Sequence, residues 1–277
     1  MLTIERATMC VAMMLGIAIS ANGQTWTGAY AGGSVGRGVT RGSSETVRFD
    51  TNLDGSFGDT VRTAAGADAF SPGFCTGLAV SRTPGDGCTD DDSEIDFGGQ
   101  FGYDRQLGAL VVGGLVDISR ADIVDHVTAF STTPAFYAFT RELNMVAGFR
   151  GRVGVGNSRV LFYGTGGAAR GSVEQTFTTS NAVNTFVGVG VNGNVDDQGV
   201  WGYQAGGGVE ARLGRRWSVV GEYLFTDLDN RDDSTISVQG PAPATNAFIL
   251  ANAGGTLMQR SGKFEIHGAR FSMRFRF

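Results

Sequence analysis

The end of the chain alternates strictly between apolar and polar side chains. Within residues 263–277, one set of alternate positions holds Ala269, Phe271, Met273, Phe275 and Phe277, and the other holds Arg270, Ser272, Arg274 and Arg276. A period of two is typical of a β-strand, because successive side chains point to opposite faces. In a soluble sandwich the apolar face would form the core. In a membrane barrel it would face lipid, and the arginines would face the lumen.

Seven earlier segments have β-like patterns, so we predict eight strands in all. The seven are residues 26–38, 94–106, 109–120, 140–153, 159–172, 198–213 and 217–229. Each is long enough to cross a bilayer at a tilt, which takes about 9 to 11 residues. Short turns follow the second, fourth and sixth strands, and long loops follow the others, at about 39–93, 121–139, 173–197 and 230–262. This layout is typical of an outer-membrane barrel whose short turns and termini are periplasmic.

The polar faces of the predicted strands carry charges of both signs. They hold Asp96, Asp104, Asp117, Arg150, Arg152, Glu210, Arg212, Glu222, Arg270, Arg274 and Arg276. In a lumen these groups can form ion pairs, whereas each arginine at mid-depth on a lipid face would cost about 2–4 kcal/mol. A soluble lipocalin-like barrel would instead direct large apolar residues inward and charges outward. We therefore predict an all-β fold, an eight-stranded antiparallel up-and-down transmembrane β-barrel with short periplasmic turns and long extracellular loops.

Aromatic residues near the strand ends support the membrane interpretation. On the apolar faces these are Trp26, Phe97, Tyr103, Phe149, Trp201, Trp217, Phe225, Phe271 and Phe277. Aromatic side chains are enriched at the two membrane–water interfaces, so this set predicts two interfacial girdles.

The amino terminus predicts a secretory signal peptide over residues 1–23, which leaves residues 24–277 as the barrel. Arg6 precedes an apolar stretch at 9–19, and small residues follow it. About eleven apolar residues are too few for a helical membrane anchor, which needs about 20. Cys10 would leave with this leader, and no lipobox surrounds it.

Cys75 and Cys88 remain in the mature chain as an even pair, for which we predict a disulfide. On the loop-entropy estimate this bond would stabilise the protein by about 3 kcal/mol. Metal binding by two lone cysteines is the less favoured alternative.

Composition excludes some partners. With 22 basic and 27 acidic residues the chain is mildly acidic, so nucleic acid is not a predicted partner. Glycine accounts for 44 of 277 residues, about twice the usual share of roughly 7%, which favours closely packed β-structure and tight turns.

Short motifs in a fixed order resemble the small outer-membrane β-barrel family, in particular the porin-family or outer-membrane immunogenic proteins of Gram-negative bacteria. They are Trp26-Thr-Gly-x-Tyr30-x-Gly-Gly33, Gly98-Gly-Gln-x-Gly-Tyr103, Tyr163-Gly-Thr-Gly-Gly-Ala168, Trp217 with Glu222-Tyr-x-Phe-Thr-Asp227, and terminal Phe277. The resemblance implies insertion by the barrel-assembly machinery, with Phe277 as the assembly signal. The chain departs from the family pattern at Ala29 and Ala31, where bulkier residues are usual, and at Leu115, where an inward glutamate is common.

The predicted function is that of a structural, porin-like surface protein in contact with outer-membrane lipid and lipopolysaccharide. Eight strands leave an interior only wide enough for side chains, so we interpret the charged lumen as an ion-paired core. In that core Glu222 is expected to reach Arg270 or Arg274. A gated ion path is the alternative for the lumen. The long loops suit a surface antigen, an adhesin or a ligand-docking surface with an unknown extracellular ligand.

No catalytic, cofactor or metal site is predicted. His126 and His267 are the two histidines, and neither lies in a recognisable motif. Glu265 shares a strand face with His267, which we interpret as a solvated pair at the rim; a lipopolysaccharide-modifying enzyme is the alternative. Acidic runs occur at Asp90-Asp91-Asp92, Asp196-Asp197 and Asp232-Asp233, but they lack the spacing of a calcium loop.

Overall fold

The computed structural model describes residues 26–40, 46–89, 95–191, 196–229 and 235–277, without the side chains of 196–198. The predicted signal peptide and the acidic runs at 90–92 and 232–233 lie outside the described residues. No helix in the described part of the chain is long and apolar enough to cross a membrane.

The described residues form thirteen strands and one short helix. In chain order the strands are β1 (Gly28–Thr40), β2 (Val47–Asp50), β3 (Gly73–Thr76), β4 (Ile95–Leu107), β5 (Leu110–Ser131), β6 (Ala135–Gly156), β7 (Val160–Thr179), β8 (Thr185–Gly188), β9 (Asp196–Arg212), β10 (Trp217–Leu228), β11 (Thr235–Gln239), β12 (Thr256–Arg260) and β13 (Phe264–Arg276). The helix α1 (Ala247–Leu250) precedes β12, and a single 3-10 turn covers Pro84–Asp86.

Eight of these strands pair into a closed antiparallel ring, in the order β1, β4, β5, β6, β7, β9, β10, β13 and back to β1. The register can be followed once around the ring from each residue to its paired residue on the next strand. Starting on β1, the paired residues are Tyr30, Gly102, Leu115, Arg150, Gly167, Gln204, Thr226, Ile266 and Thr40. The path leaves β1 at residue 30 and returns at residue 40, so the register shifts by ten residues per circuit. Such a stagger accompanies strand tilt in closed barrels. The predicted eight-stranded up-and-down barrel is confirmed.

Side chains on the ring are sorted as the alternation predicts. Phe97, Phe149 and Phe271 face outward and are 64%, 68% and 69% exposed, whereas Arg274, on the opposite face of β13, is 1% exposed. Apolar groups therefore face the lipid, and charged groups face the barrel axis.

Trp26 does not belong to the interfacial girdle, contrary to the sequence prediction. It is fully buried. Its backbone N–H donates to Gln106 Oε1 at 3.1 Å, and its indole N–H donates to the Asn157 carbonyl at 2.6 Å. β1 begins only at Gly28, so the strand alternation does not extend to Trp26. The indole fills the periplasmic mouth of the barrel.

Strands β5, β6 and β7 extend well beyond the length needed to cross a membrane. Residues 121–139, predicted as a loop, form the outer halves of β5 and β6 and the turn between them. On β5 past Arg120, the inward side chains Ile123 and Val127 are buried and apolar, with the buried Asp125 between them. The outward face becomes polar at Asp122 and His126. The strands thus continue into water after their lipid-facing pattern ends.

The other long loops also contain strands. β2, β12, β11 and β8 form a four-stranded sheet, and β3 pairs with the outer part of β5. This sheet, β3, α1 and the outer ends of β5, β6 and β7 together form what we call the cap. Its core contains Val47, Phe49, Val61, Ala69, Phe70, Val127, Ala129, Ala135, Tyr137, Phe139, Phe177, Ile236, Val238, Phe248 and Met258. The predicted disulfide between Cys75 and Cys88 is present in the cap.

Candidate functional site: the sealed lumen and the cap

Glu210 lies at the centre of the charged lumen and is fully buried. Arg152 and Arg274 donate to its Oε2 atom at 2.5 and 2.8 Å, and the Ser218 hydroxyl donates to Oε1 at 2.7 Å. Arg276 lies 3.7 Å from Oε1. These arginines come from strands on different sides of the ring, so one carboxylate joins β6, β9 and β13 across the lumen.

Asp104 extends the network toward the periplasmic end. Its Oδ2 atom lies 3.0 Å from Arg276 and 3.5 Å from Arg152, and none of the Asp104 surface is exposed. Arg276 also donates to the backbone carbonyl of Trp26. The charged network is thereby joined to the aromatic residue that closes the mouth.

Asp96, Asp117 and Glu222 form the outer half of the network. Arg150 donates to Asp117 at 3.0 Å and to Glu222 at 2.9 Å. Tyr163 donates to the second oxygen of Glu222 at 2.7 Å. The expectation that Glu222 reaches Arg270 or Arg274 is therefore wrong, because the carboxylate pairs across the lumen with a strand three places away in the ring.

Arg270 is the backbone partner of Glu222, but its side chain turns toward β4 and β5. It lies 3.3 Å from both Asp96 and Asp117, and it donates to the Ser119 hydroxyl at 2.9 Å. Backbone pairing thus does not determine ion pairing in this lumen.

Arg212 lies at the rim of the barrel, not within the central network as predicted. Its guanidinium donates to the carbonyls of Gly214 and Arg215 in the β9–β10 turn, and it lies 5.4 Å from the Trp26 ring centroid. Arg212 is the last residue of β9, beside a tight turn, and this position explains the difference.

Two apolar layers enclose the charged network. The periplasmic layer consists of Trp26, Val111, Leu161, Tyr163 and Val220. The outer layer consists of Ala121, Ile123, Leu143, Val146, Ala169, Val173, Val200, Leu228, Phe264 and Ile266. The cavity between the outer layer and the network, beside Asp96 and Arg270, measures only about 20 Å³. That volume accommodates about one water molecule.

A second buried charge cluster lies above the outer layer, in the cap. Arg141 and Arg260 approach Asp125 Oδ2 at 2.7 and 2.6 Å, and all three side chains are about 2% exposed or less. Burial alone would raise the pKa of Asp125, but the charges of Arg260 and Arg141 outweigh burial and lower this pKa. The sequence offered no signal for this cluster, since Asp125 and Arg260 lie in regions predicted as loops.

Each histidine has a hydroxyl neighbour on an adjacent strand. His126 Nδ1 lies 2.7 Å from Thr140 Oγ1, and His267 Nδ1 lies 2.5 Å from the Tyr223 hydroxyl. Within the described ranges, no group of three or more His, Cys, Asp and Glu side chains is arranged to hold a metal ion.

A closed ring with lipid-facing aromatic residues and an ion-paired interior defines a transmembrane β-barrel. The family model described as outer membrane protein beta-barrel domain matches residues 7–240, and the chain belongs to this family. It is a surface protein of the cell outer membrane.

The sequence relatives bear names of the same kind. A 31 kDa outer-membrane immunogenic protein of Brucella melitensis is 24% identical over 213 residues, which cover 75% of this chain and 73% of that protein. A 22 kDa outer membrane protein of Rhizobium leguminosarum bv. viciae is 30% identical over 162 residues, which cover 58% of this chain and 65% of that protein.

Two solved structures align with most of this chain. The attachment invasion locus protein Ail of Yersinia pestis, in complex with the heparin analogue sucrose octasulfate, aligns with a TM-score of 0.35 and 13% identity over 90% of this chain and 99% of that chain. The outer membrane protease OmpT of Escherichia coli aligns with a TM-score of 0.43 and 9% identity over 93% of this chain and 99% of that chain.

Proposed function

We propose that the barrel is closed to ions and acts as a rigid membrane anchor that presents the folded cap at the cell surface. The observation that carries this proposal is the layered interior, in which the ion-paired network is enclosed between two apolar layers. An ion in transit would have to lose its water among buried aliphatic side chains, which is costly. In this proposal the protein is not an enzyme.

Electrophysiology tests the closed barrel directly. The refolded protein, inserted into a planar bilayer at neutral pH, is expected to give no unitary current above the lipid background. A larger water-filled porin serves as the positive control, and heat-modifiable gel mobility verifies that the inserted protein is folded. Reproducible unitary steps from the folded protein would contradict the proposal.

Recognition of an extracellular ligand by the cap is a second candidate function. A cavity of about 390 Å³ opens between residues of all four predicted loop regions, including Phe70, Arg82, Tyr137, Asn181 and Phe248. Aromatic rings with a few polar groups are typical of ligand pockets. Binding of a screened ligand by the wild-type protein but not by Arg82→Ala with Asn181→Ala would support this function. Equal binding by both proteins would place recognition elsewhere.

We further propose that the chain is exported by its signal peptide and inserted by the barrel-assembly machinery, with Phe277 as the recognised end. Phe277 is 73% exposed, and its backbone N–H donates to the Ala29 carbonyl at 3.0 Å. The side chain is thus accessible at the seam where the first and last strands pair.

A further inference from the structure

The cavity of about 390 Å³ in the cap, which we call the cap cavity, has an aromatic floor. Phe70, Tyr137 and Phe248 form this floor, and their ring centroids lie 5.4 to 5.8 Å apart. Because the rings pack against one another, the three side chains are only 4%, 2% and 4% exposed. Their faces are therefore not available for stacking on a ligand.

The walls of the cap cavity carry hydroxyl groups that a ligand can reach. Thr132, Thr133 and Thr245 line the cavity and are exposed. Their hydroxyl groups form no hydrogen bond with any residue that the structure describes. Each hydroxyl can donate one hydrogen bond and accept others, so these walls match a ligand that is itself rich in hydroxyl groups.

A single positive charge lies at the cap cavity. Among the described residues that line it, Arg82 is the one charged side chain. Arg82 is exposed, and no described carboxylate pairs with it. A guanidinium binds a carboxylate through two parallel hydrogen bonds. One such carboxylate neutralises Arg82, whereas a phosphate monoester would bring a charge of about −1.5 to −2 to a site with one cation.

The loop that carries Arg82 is held in place before any ligand binds. The disulfide between Cys75 and Cys88 closes this loop at its base, and Cys75 lies on β3, which pairs with the outer part of β5. Within the loop the Ser81 hydroxyl donates to Asp86 at 2.6 Å. A cation fixed in this way loses little conformational freedom when it binds an anion.

An amide network holds another wall of the cap cavity. Asn181 donates to the Tyr137 hydroxyl at 2.9 Å and to Asn184 Oδ1 at 3.1 Å. Asn246 donates to the same Asn184 oxygen at 3.2 Å. This network joins the segment after β7 to the segment before α1, so the shape of the cavity is also set in advance.

We propose that the cap cavity binds a sugar acid, a small hydroxyl-rich molecule with one carboxylate. Arg82 binds the carboxylate, and the hydroxyl groups of Thr132, Thr133 and Thr245 bind those of the sugar. The cavity volume lies within the range of about 300–1,000 Å³ that is usual for small-molecule sites. This inference rests on ligand recognition by the cap, the second function proposed above, and names the class of ligand.

Ligand-observed NMR titration of the detergent-solubilised full-length protein at neutral pH tests the proposal. The probes are three uronates, namely D-glucuronate, D-galacturonate and D-mannuronate. Three further probes each change one feature: D-glucose lacks the charge, benzoate lacks the hydroxyl groups, and D-glucose 6-phosphate replaces the carboxylate. Arg82→Gln removes the cation, and Arg48→Gln is the matched control, because Arg48 is an exposed arginine of the cap that does not line the cavity. Heat-modifiable mobility verifies that each variant is folded.

We expect at least one uronate to bind the wild-type protein and Arg48→Gln equally, and to bind Arg82→Gln about ten-fold more weakly. Glucose, benzoate and glucose 6-phosphate should each bind the wild-type protein about ten-fold more weakly than that uronate. Binding by none of the three uronates would overturn the inference. Equal affinity of Arg82→Gln and the wild-type protein, or of any of the other three probes and the uronate, would overturn it as well.

Failure of this inference is distinguishable from failure of ligand recognition by the cap. If no uronate binds, but a screened ligand of another class binds the wild-type protein and not Arg82→Ala with Asn181→Ala, the cap recognises a ligand and only the class is wrong. The planar-bilayer recording separately tests the closed barrel, because it does not depend on any ligand of the cap.

Discussion

At Asp125, one buried carboxylate of the cap neutralises two buried guanidinium groups. Replacing Asp125 by Asn leaves Arg141 and Arg260 without their shared counter-charge. We expect this change to destabilise the cap by about 3–5 kcal/mol. Hydrogen exchange of the outer halves of β5 and β6 measures the loss.

Asp122→Asn is the matched control, because Asp122 lies on the same strand and pairs with Arg120, whose side chain is 79% exposed. Exposed ion pairs contribute at most about 1 kcal/mol, so amide protection in this control should remain close to wild type. Similar losses of amide protection in both variants would show that the buried charge cluster stabilises the cap no more than the exposed ion pair does.

The lowered pKa of Asp125 predicts that the stability of the cap depends on pH. The pKa of Asp125 is lowered in the folded protein, by Arg260 and Arg141 acting against burial. Its stabilising effect is therefore complete above the unfolded pKa of about 3.9, and it is lost as the pH falls through the lower folded value. Amide protection in the cap should decrease below about pH 4 in the wild type. If amide protection decreases equally steeply in Asp125→Asn, other acidic groups cause the pH dependence.

Sequence reasoning predicted which lumen residues face inward but not which of them pair. The alternation placed Glu222 and Arg150 on inward faces, and both are buried. Their contact at 2.9 Å spans the lumen, and it depends on the relative heights of β6 and β10, which the register of the whole ring determines. Trp26 was assigned to the girdle for a similar reason, since only the fold shows that its side chain is buried at the periplasmic end of the barrel.

Among the strands, β7 depends on glycines at positions where neighbouring backbones approach closely. A Cβ atom at Gly167 would clash with the carbonyl oxygen of Phe149 on β6. At Gly166 the nearest atom to such a Cβ is the Gln204 carbonyl oxygen at 3.5 Å, an ordinary contact. We therefore expect Gly167→Ala to destabilise the barrel by about 1–3 kcal/mol, as overpacking does. Gly166→Ala should be nearly neutral.

Urea unfolding in detergent micelles, followed by tryptophan fluorescence, measures both glycine variants. An equal midpoint for Gly167→Ala and the wild-type protein would mean that β6 and β7 separate without cost to admit the methyl group.

The strand predictions were accurate where lipid imposes the pattern and failed where it does not. The last strand was predicted at 263–277 and is found at Phe264–Arg276. In contrast, β5 was predicted to end at 120 and continues to Ser131. Outside the membrane the outward face meets water, so Asp122 and His126 replace aliphatic residues there. The four strands of the cap sheet are too short, at four or five residues each, to give a clear alternation.

For the molecule as a whole, the exposed terminal aromatic residue leads to a prediction about assembly in the cell. If Phe277 is read by the assembly machinery, Phe277→Ser should reduce the amount of barrel in the outer membrane several-fold. The same variant should refold in detergent with wild-type heat-modifiable mobility, because the side chain is 73% exposed and contributes little packing. Quantitative blotting of outer-membrane fractions measures the first effect.

Phe225→Ser is a suitable control for the assembly experiment, since it removes an outward aromatic residue far from the chain end. Equal losses from the outer membrane for both variants would mean that the position of Phe277 at the terminus is unimportant.

The hairpin of β5 and β6 extends well beyond the membrane. Beyond Arg120, β5 continues for eleven residues to Ser131, a length of about 35 Å at roughly 3.3 Å per residue, less the effect of tilt. Both strands run unbroken from the hydrocarbon to this tip, apart from a local register shift near Arg120. An antibody or another large particle that approaches the cell would therefore meet the turn at Thr132, Thr133 and Pro134 at a nearly constant distance above the surface, held there without a flexible stalk.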